Sequence, residues 1–321
     1  MKSKKILALA LACTMVTAVF AGCGKKEPDV YKVGICQLVQ HAALDAATKG
    51  FQDALTEKLG ERVTFDLKNA AGDPATCSTI VNQFVADKVD LIMANATASL
   101  QSAFAATADI PIVATSITDY ATALDIDNWT GKTGVNVTGT CDLAPLDEQA
   151  AMIKELFPDV KKVGILYCSA EANSKYQAVK IAEYLTALGI ASEEFTCADS
   201  NDVAMVTSAA CAACDVIYIP TDNMMASSTG IVDGVAGPAG VPIVAGEAGI
   251  CKGCGVATLS IDYYSIGYAA GEQAYEILVN GAKPAEMEIG YAKELTKQYI
   301  AERCQKLGIS VPDSYEAIEV E

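Results

Sequence analysis

Histidine and tryptophan each occur once in the 321 residues. With His41 the only imidazole, catalytic triads and histidine-ligated metal centres have almost nothing to be built from. Basic residues are scarce: 23 Lys and Arg stand against 40 Asp and Glu, a net charge of −17. Such a surface repels phosphate backbones, which argues against nucleic acid as a partner. The chain lacks a GxSxG elbow, a Walker loop and a dinucleotide glycine fingerprint. The glycine-rich "GVAGPAG" (Gly234–Gly240) precedes a strand pattern instead of opening a helix. After residue 23 no apolar run is long enough to cross a bilayer. No catalytic residue, cofactor or metal is therefore expected.

The first residues have the form of an export signal. Lys2, Lys4 and Lys5 precede an apolar run of 15 residues, Ile6–Phe20. "FAGC" (Phe20–Cys23) follows, resembling a lipoprotein cleavage site, and then the polar "GKKEPD". The expectation is a signal peptide over 1–22, a lipidated Cys23 that anchors the chain to the outer face of the cell membrane, and a tether over 23–30. Of the 12 cysteines, Cys211 with Cys214 and Cys251 with Cys254 form two CxxC pairs. The 36 residues between the pairs hold a whole strand–helix unit. Zinc, redox chemistry, local disulfides and plain buried thiols all remain open for them.

What is present is half apolar sequence arranged in strand-length runs that alternate with helical patterns, the signature of a parallel α/β sheet. The pattern repeats. "KVGI" occurs at Lys32–Ile35 and at Lys162–Ile165, an offset of 130. "DLIMA" (Asp90–Ala94) parallels "DVIYI" (Asp215–Ile219), and "IPIVA" (Ile110–Ala114) parallels "VPIVA" (Val241–Ala245), at offsets of 125 and 131. Several matches in one order imply two similar doubly wound parallel-sheet lobes joined by a multi-strand hinge. "TGTCDLAP" (Thr138–Pro145) and "SIDYY" (Ser260–Tyr264) are the expected crossings. Residues 31–140 with about 262–285 are assigned to lobe one, and 141–261 with about 286–321 to lobe two.

Open α/β sheets bind ligands beyond the carboxyl ends of their strands. The tips here are polar. Lobe one offers Gln37, Leu38 and His41, then Asn95, Ala96 and Thr97, then Ser116, Thr118 and Asp119. Lobe two offers Ser169, Asn173 and Ser174, then Asp222 and Asn223, then Glu247. Hydroxyls, amides and helix N-termini suit a carboxylate, and the acids suit a cation. A zwitterion needs both, which makes an α-amino acid the natural ligand. Asp222, Asn95, Thr97 and Asn173 are equally read as helix caps, and Glu171 as a solvated side chain.

Seven stretches, among them "VGICQLVQHAALDAATKGFQDAL" from Val33, "ADKVDLIMANATAS" from Ala86, "KKVGILYCSAEANS" from Lys161 and "IYIPTDN" from Ile217, together resemble one family. It is the substrate-binding lipoproteins of bacterial ABC importers of the tryptophan/tyrosine type. The sequence departs from the family at Ala42, where proline is usual, and in the cysteine-rich "GEAGICKGC" from Gly246. The resemblance implies a type I periplasmic-binding-protein fold, an aromatic amino acid as ligand and ABC permease subunits as partners. A monomer is expected. On that reading Asn95, Ala96, Thr97, Ser116 and Thr118 take the carboxylate. Asp222 takes the ammonium with Asn173 or Asn223, and Leu38, Val39 and Leu44 wall the side chain. A lipid-anchored sensor of the same fold and a thiol-based redox or metal protein are the alternatives.

Overall fold

The computed structural model describes residues 30–319. The export signal, Cys23 and most of the tether lie outside the described residues. The first "KVGI" lies in β1 (Tyr31–Gln37), followed by β2 (Val63–Asn69), β3 (Leu91–Asn95), β4 (Ile112–Ile117) and β5 (Val137–Cys141). The second lies in β6 (Lys162–Cys168), followed by β7 (Ala191–Cys197), β8 (Val216–Ile219), β9 (Ile243–Ala245) and β10 (Ala257–Ser260). The parallel strands run in the order 2-1-3-4-5 in lobe one and 7-6-8-9-10 in lobe two. The two orders are equivalent, so the repeat read from short motifs is a repeat of topology.

The central strands are apolar along their length because helices cover both faces of each sheet. In β3, β4, β8 and β9 every residue is buried. The edge strands β2 and β7 carry the charges of "VTFDLKN" and "ASEEFTC", which discourages pairing with another chain. Asp73 caps the helix Pro74–Asp87, accepting from the backbone N–H of Ala75 and Thr76, with Pro74 in its first turn.

The helix Tyr263–Leu278 returns to lobe one and packs on Ala42–Leu59. Glycine allows the contact. A Cβ on Gly267 would lie 2.0 Å from the Ala47 carbonyl oxygen, and one on Gly50 2.1 Å from that of Tyr264. The two backbones touch, and only hydrogen fits between them.

Three short strands complete the sheets. β11 (Gly290–Tyr291) pairs with β5 in lobe one, whereas β12 (Thr296–Tyr299) pairs with β10 in lobe two and carries β13 (Glu316–Ala317) outside it. The chain therefore crosses between lobes three times: after β5, after β10, and between β11 and β12. The third crossing falls a few residues beyond the boundary expected near residue 285, because β11 still belongs to the first sheet.

Candidate functional site

The strand tips of both lobes face one another across a closed seam. A small enclosed cavity of about 10 Å³, room for a single water, lies between them. Its lining includes His41, Leu44 and Ser116 of lobe one, Asn173, Asp222, Asn223 and Glu247 of lobe two, and Asp142 and Tyr263 of the crossings. A groove of about 680 Å³ opens beside it, walled by Leu38, Val39, Thr97 and Ala98 on one side and Ala170, Glu171 and Met224 on the other. Asn173 and Asn223 border both spaces.

The lobes contribute opposite chemistry. In lobe one the helices Ala42–Leu59 and Thr97–Ala106 begin without a side-chain cap. Their first N–H groups carry the positive end of the helix dipole. Ala96 (φ 86°) and Ser116 (φ 58°) sit in the left-handed region that non-glycine residues avoid. Strain of this kind persists where the surroundings hold a tip in a working shape. The buried Ser116 hydroxyl and the Asn95 side-chain carbonyl have no hydrogen-bond partner. The Asn95 amide is engaged below, donating to the Leu44 carbonyl and the Thr48 hydroxyl.

Lobe two contributes carboxylates. Asp222 accepts from the Cys168 N–H at 2.7 Å and the Met225 N–H at 2.8 Å, capping the helix Asn223–Ser227. Glu247 caps the helix Ala248–Cys254, accepting from Gly249 N–H at 2.6 Å and from Ile250 N–H. Glu171, expected to be solvated, is instead half-buried. It accepts from the Asn223 side chain at 2.6 Å and from the Met224 N–H at 2.9 Å. Asp142, on the first crossing, accepts from Tyr263 at 2.9 Å and Thr118 at 3.2 Å.

Among the described residues no lysine or arginine lines the cavity or the groove. Burial alone therefore dominates the titration of these acids. It pushes Glu171 up to about 7, with help from neighbouring Asp222, Glu247 up to about 7, and Asp142 up to about 6. Asp222 is raised by the same desolvation. Burial also lowers His41 below the usual imidazole range and favours its neutral form.

Among the described residues two hydrogen bonds cross the seam between lobes. His41 Nε2 meets Asn223 Oδ1 at 3.2 Å, and Gln177 Nε2 reaches the Thr118 hydroxyl at 3.4 Å. Gln177 also donates to the Thr221 hydroxyl at 2.6 Å and accepts from the Thr221 N–H at 3.2 Å. It ties a lobe-two tip to lobe one only when the cleft is shut. Gln177→Ala is expected to speed ligand release roughly tenfold, the scale of one buried bond with its stranded partners. Stopped-flow dissociation that matches the unmodified protein would remove this latch.

Several residues expected at the site lie elsewhere. Gln37 is spent inside lobe one, donating to Asp45 at 2.7 Å and accepting from Thr48 at 2.7 Å. Ser169 is exposed and turns its hydroxyl to the Cys197 carbonyl. Asp119 lines neither space and caps its own short helix through the Thr122 N–H. Ser174 is buried beneath the tip, accepting from the Asn173 amide and bonding Asp222. Asp142, Gln177 and Tyr263 were not expected at the site. Gln177 stands one helical turn after Asn173, and that spacing was the available signal.

Two doubly wound lobes, three crossings and a charged seam define a bilobed small-molecule binding protein. The chain belongs to the ABC transporter substrate binding protein family, whose model matches residues 32–320. It is the extracytoplasmic ligand-capturing component of such a transporter, a family of binding proteins and not of enzymes. A "Tyrosine-binding protein" of Clostridioides difficile is 38% identical over 293 residues, covering 86% of this chain and 85% of the relative. A solved structure from Streptococcus pneumoniae in complex with L-Trp is 32% identical, with a TM-score of 0.86 over 90% of this chain and all of that one. A ligand-free, open substrate-binding protein with adhesive properties from Clostridium difficile is 35% identical, with a TM-score of 0.69 over 91% of this chain and all of that one. The slightly more similar sequence gives the poorer superposition. This chain superposes more closely on the tryptophan-bound structure than on the open one. More distant solved binding proteins share the type I periplasmic-binding-protein fold.

Among the described residues no helix is long and apolar enough to cross a membrane, and no cluster of His, Cys, Asp and Glu is arranged to hold a metal ion. Cys251 and Cys254 lie on the helix Ala248–Cys254 and are buried; Cys211 lies on the helix Val203–Ala213 with Cys214 just past its end, and both are half-buried.

Proposed function

We propose that this protein captures an aromatic α-amino acid, tyrosine or tryptophan, and presents it to an ABC permease. The observation that carries the reading is the asymmetry of the seam. Uncapped helix starts and the unpartnered Ser116 hydroxyl face buried carboxylates that have no cation. A zwitterion laid across the seam satisfies both sides. Its carboxylate goes to Ser116 and the Thr97 helix start, and its ammonium goes to Asp222 with Asn173 and Asn223. The ring runs toward the groove between Leu38, Val39 and Met224. Burying such a ring supplies roughly 2–3 kcal/mol, so charge pairing must supply most of a micromolar affinity of about 8 kcal/mol. The names of the tyrosine-binding and tryptophan-bound relatives favour the aromatic class. The role is capture without chemistry, by a monomer held at the membrane through a lipidated Cys23.

A thermal-shift screen against the twenty amino acids tests this. Tyrosine or tryptophan at about 100 times Kd should raise Tm by roughly 5 °C or more, since only the folded state binds. A screen in which aromatic amino acids give no shift and another ligand class does would overturn the assignment.

A further inference from the structure

We propose that Cys36 and Cys77 are a dithiol that closes to a disulfide, stapling β1 to the helix Pro74–Asp87 inside lobe one. Cys36 is the penultimate residue of β1, and Cys77 lies in the first turn of the helix that covers it. Both side chains are fully buried. Their sulfurs converge on one hydroxyl: Ser99 Oγ is 3.7 Å from Cys36 Sγ and 3.5 Å from Cys77 Sγ. The two thiols are near enough to shift each other's titration, Cys36 upward and Cys77 downward. Ligand capture uses neither group, and the CxxC spacing that draws attention elsewhere in the sequence does not mark this pair.

The surroundings make the two thiols unequal. Interaction with Cys36 and with the Ser99 hydroxyl holds Cys77 below the usual thiol range, while Cys36, the partner thiol, is raised. Cys77, in the first turn of the helix Pro74–Asp87, is the thiol that opening of the helix start uncovers, and it attacks first. Its thiolate attacks one sulfur of a small-molecule disulfide, forming a mixed disulfide and expelling one small thiolate. Cys36 then loses its proton and attacks the Cys77 sulfur, expelling the second. Two protein thiols are oxidised, one small disulfide is reduced to two thiols, and the two protein protons end on those thiols. Because both sulfurs are buried, the exchange proceeds through local opening of the helix start or before the lobe has folded.

Peptide mapping is the test. The full chain is brought to equilibrium with oxidised and reduced glutathione, quenched with an alkylating agent and digested. A linked Cys36–Cys77 peptide is expected, together with a Tm about 5 °C above that of the reduced protein, the scale for a cross-link of this kind. In Cys77→Ala and Cys77→Ser the oxidised and reduced samples should melt together, whatever each substitution does to stability itself. A fully alkylatable Cys36 and Cys77 at every redox ratio would overturn the proposal. So would a linkage that joins either residue to a different cysteine.

Discussion

Asp222→Asn is expected to weaken binding of the amino acid roughly 100-fold while leaving the lobe folded. Removing one partner of a buried charge pair costs about 2–5 kcal/mol, and each 1.4 kcal/mol is tenfold. Asparagine is the informative substitution. Asp222 makes two backbone hydrogen bonds that hold the tip, to Cys168 and Met225. An amide keeps the size and one of the two acceptor oxygens, so the Met225 cap can survive while the charge and one backbone hydrogen bond are lost, a smaller disturbance than losing both. Asp222→Ala would strand both donors and mix a folding defect into the measurement. Titration calorimetry beside an unfolding curve separates the two effects. An affinity within threefold of the unmodified protein, with stability retained, would end the role of Asp222 as ammonium partner.

The second large effect is on pH. An ammonium is held only by an ionised carboxylate; burial raises its partner Asp222, and the neighbouring cleft acids Glu171 and Glu247 are raised to about 7 and Asp142 to about 6. Affinity should therefore be full above about pH 7.5 and fall as pH drops through 7 and 6. The loss is up to tenfold per unit for each acid that must ionise. The ligand-free protein follows the opposite sign. An acid whose folded pKa is raised contributes stability that is present below its unfolded pKa, near 4, and lost as pH rises through the folded value. These groups thus destabilise the empty cleft over the same pH range in which they strengthen binding. Calorimetry between pH 5.5 and 8, in buffers of different ionisation enthalpy, should show protons released on binding. Measurable binding with constant affinity and no proton release would refute the coupling and leave the choice of ligand standing.

The duplication was legible because it rests on buried strands, whose apolar runs and order survive in the sequence. "KVGI" lies within strands, and "DLIMA" and "VPIVA" run into them, and parallel strands covered on both faces leave a strong signal. Asp222, Asn223, Glu247 and Ser116 were legible because each follows such a run directly. Ser169 and Asp119 follow runs too, yet they turn away. Side-chain alternation ends with the strand, and beyond it direction is set by the turn. The end of β4 is bent by an irregularity at Ser116, whose positive φ nothing in "TSITD" announces. Asp142 was hidden in a stretch read only as a hinge, and Glu171 in a loop whose fold onto Asn223 and Met224 is tertiary.

The three crossings have a mechanical consequence. β5 and β11 leave lobe one side by side, and β10 and β12 enter lobe two side by side. Three strips fixed at neighbouring points resist sliding and twisting far more than they resist bending. The lobes are thus left with a single soft coordinate, the angle between them. A ligand that fills the seam sets that angle, and a membrane partner touching both rims could read occupancy as an angle without contacting the ligand.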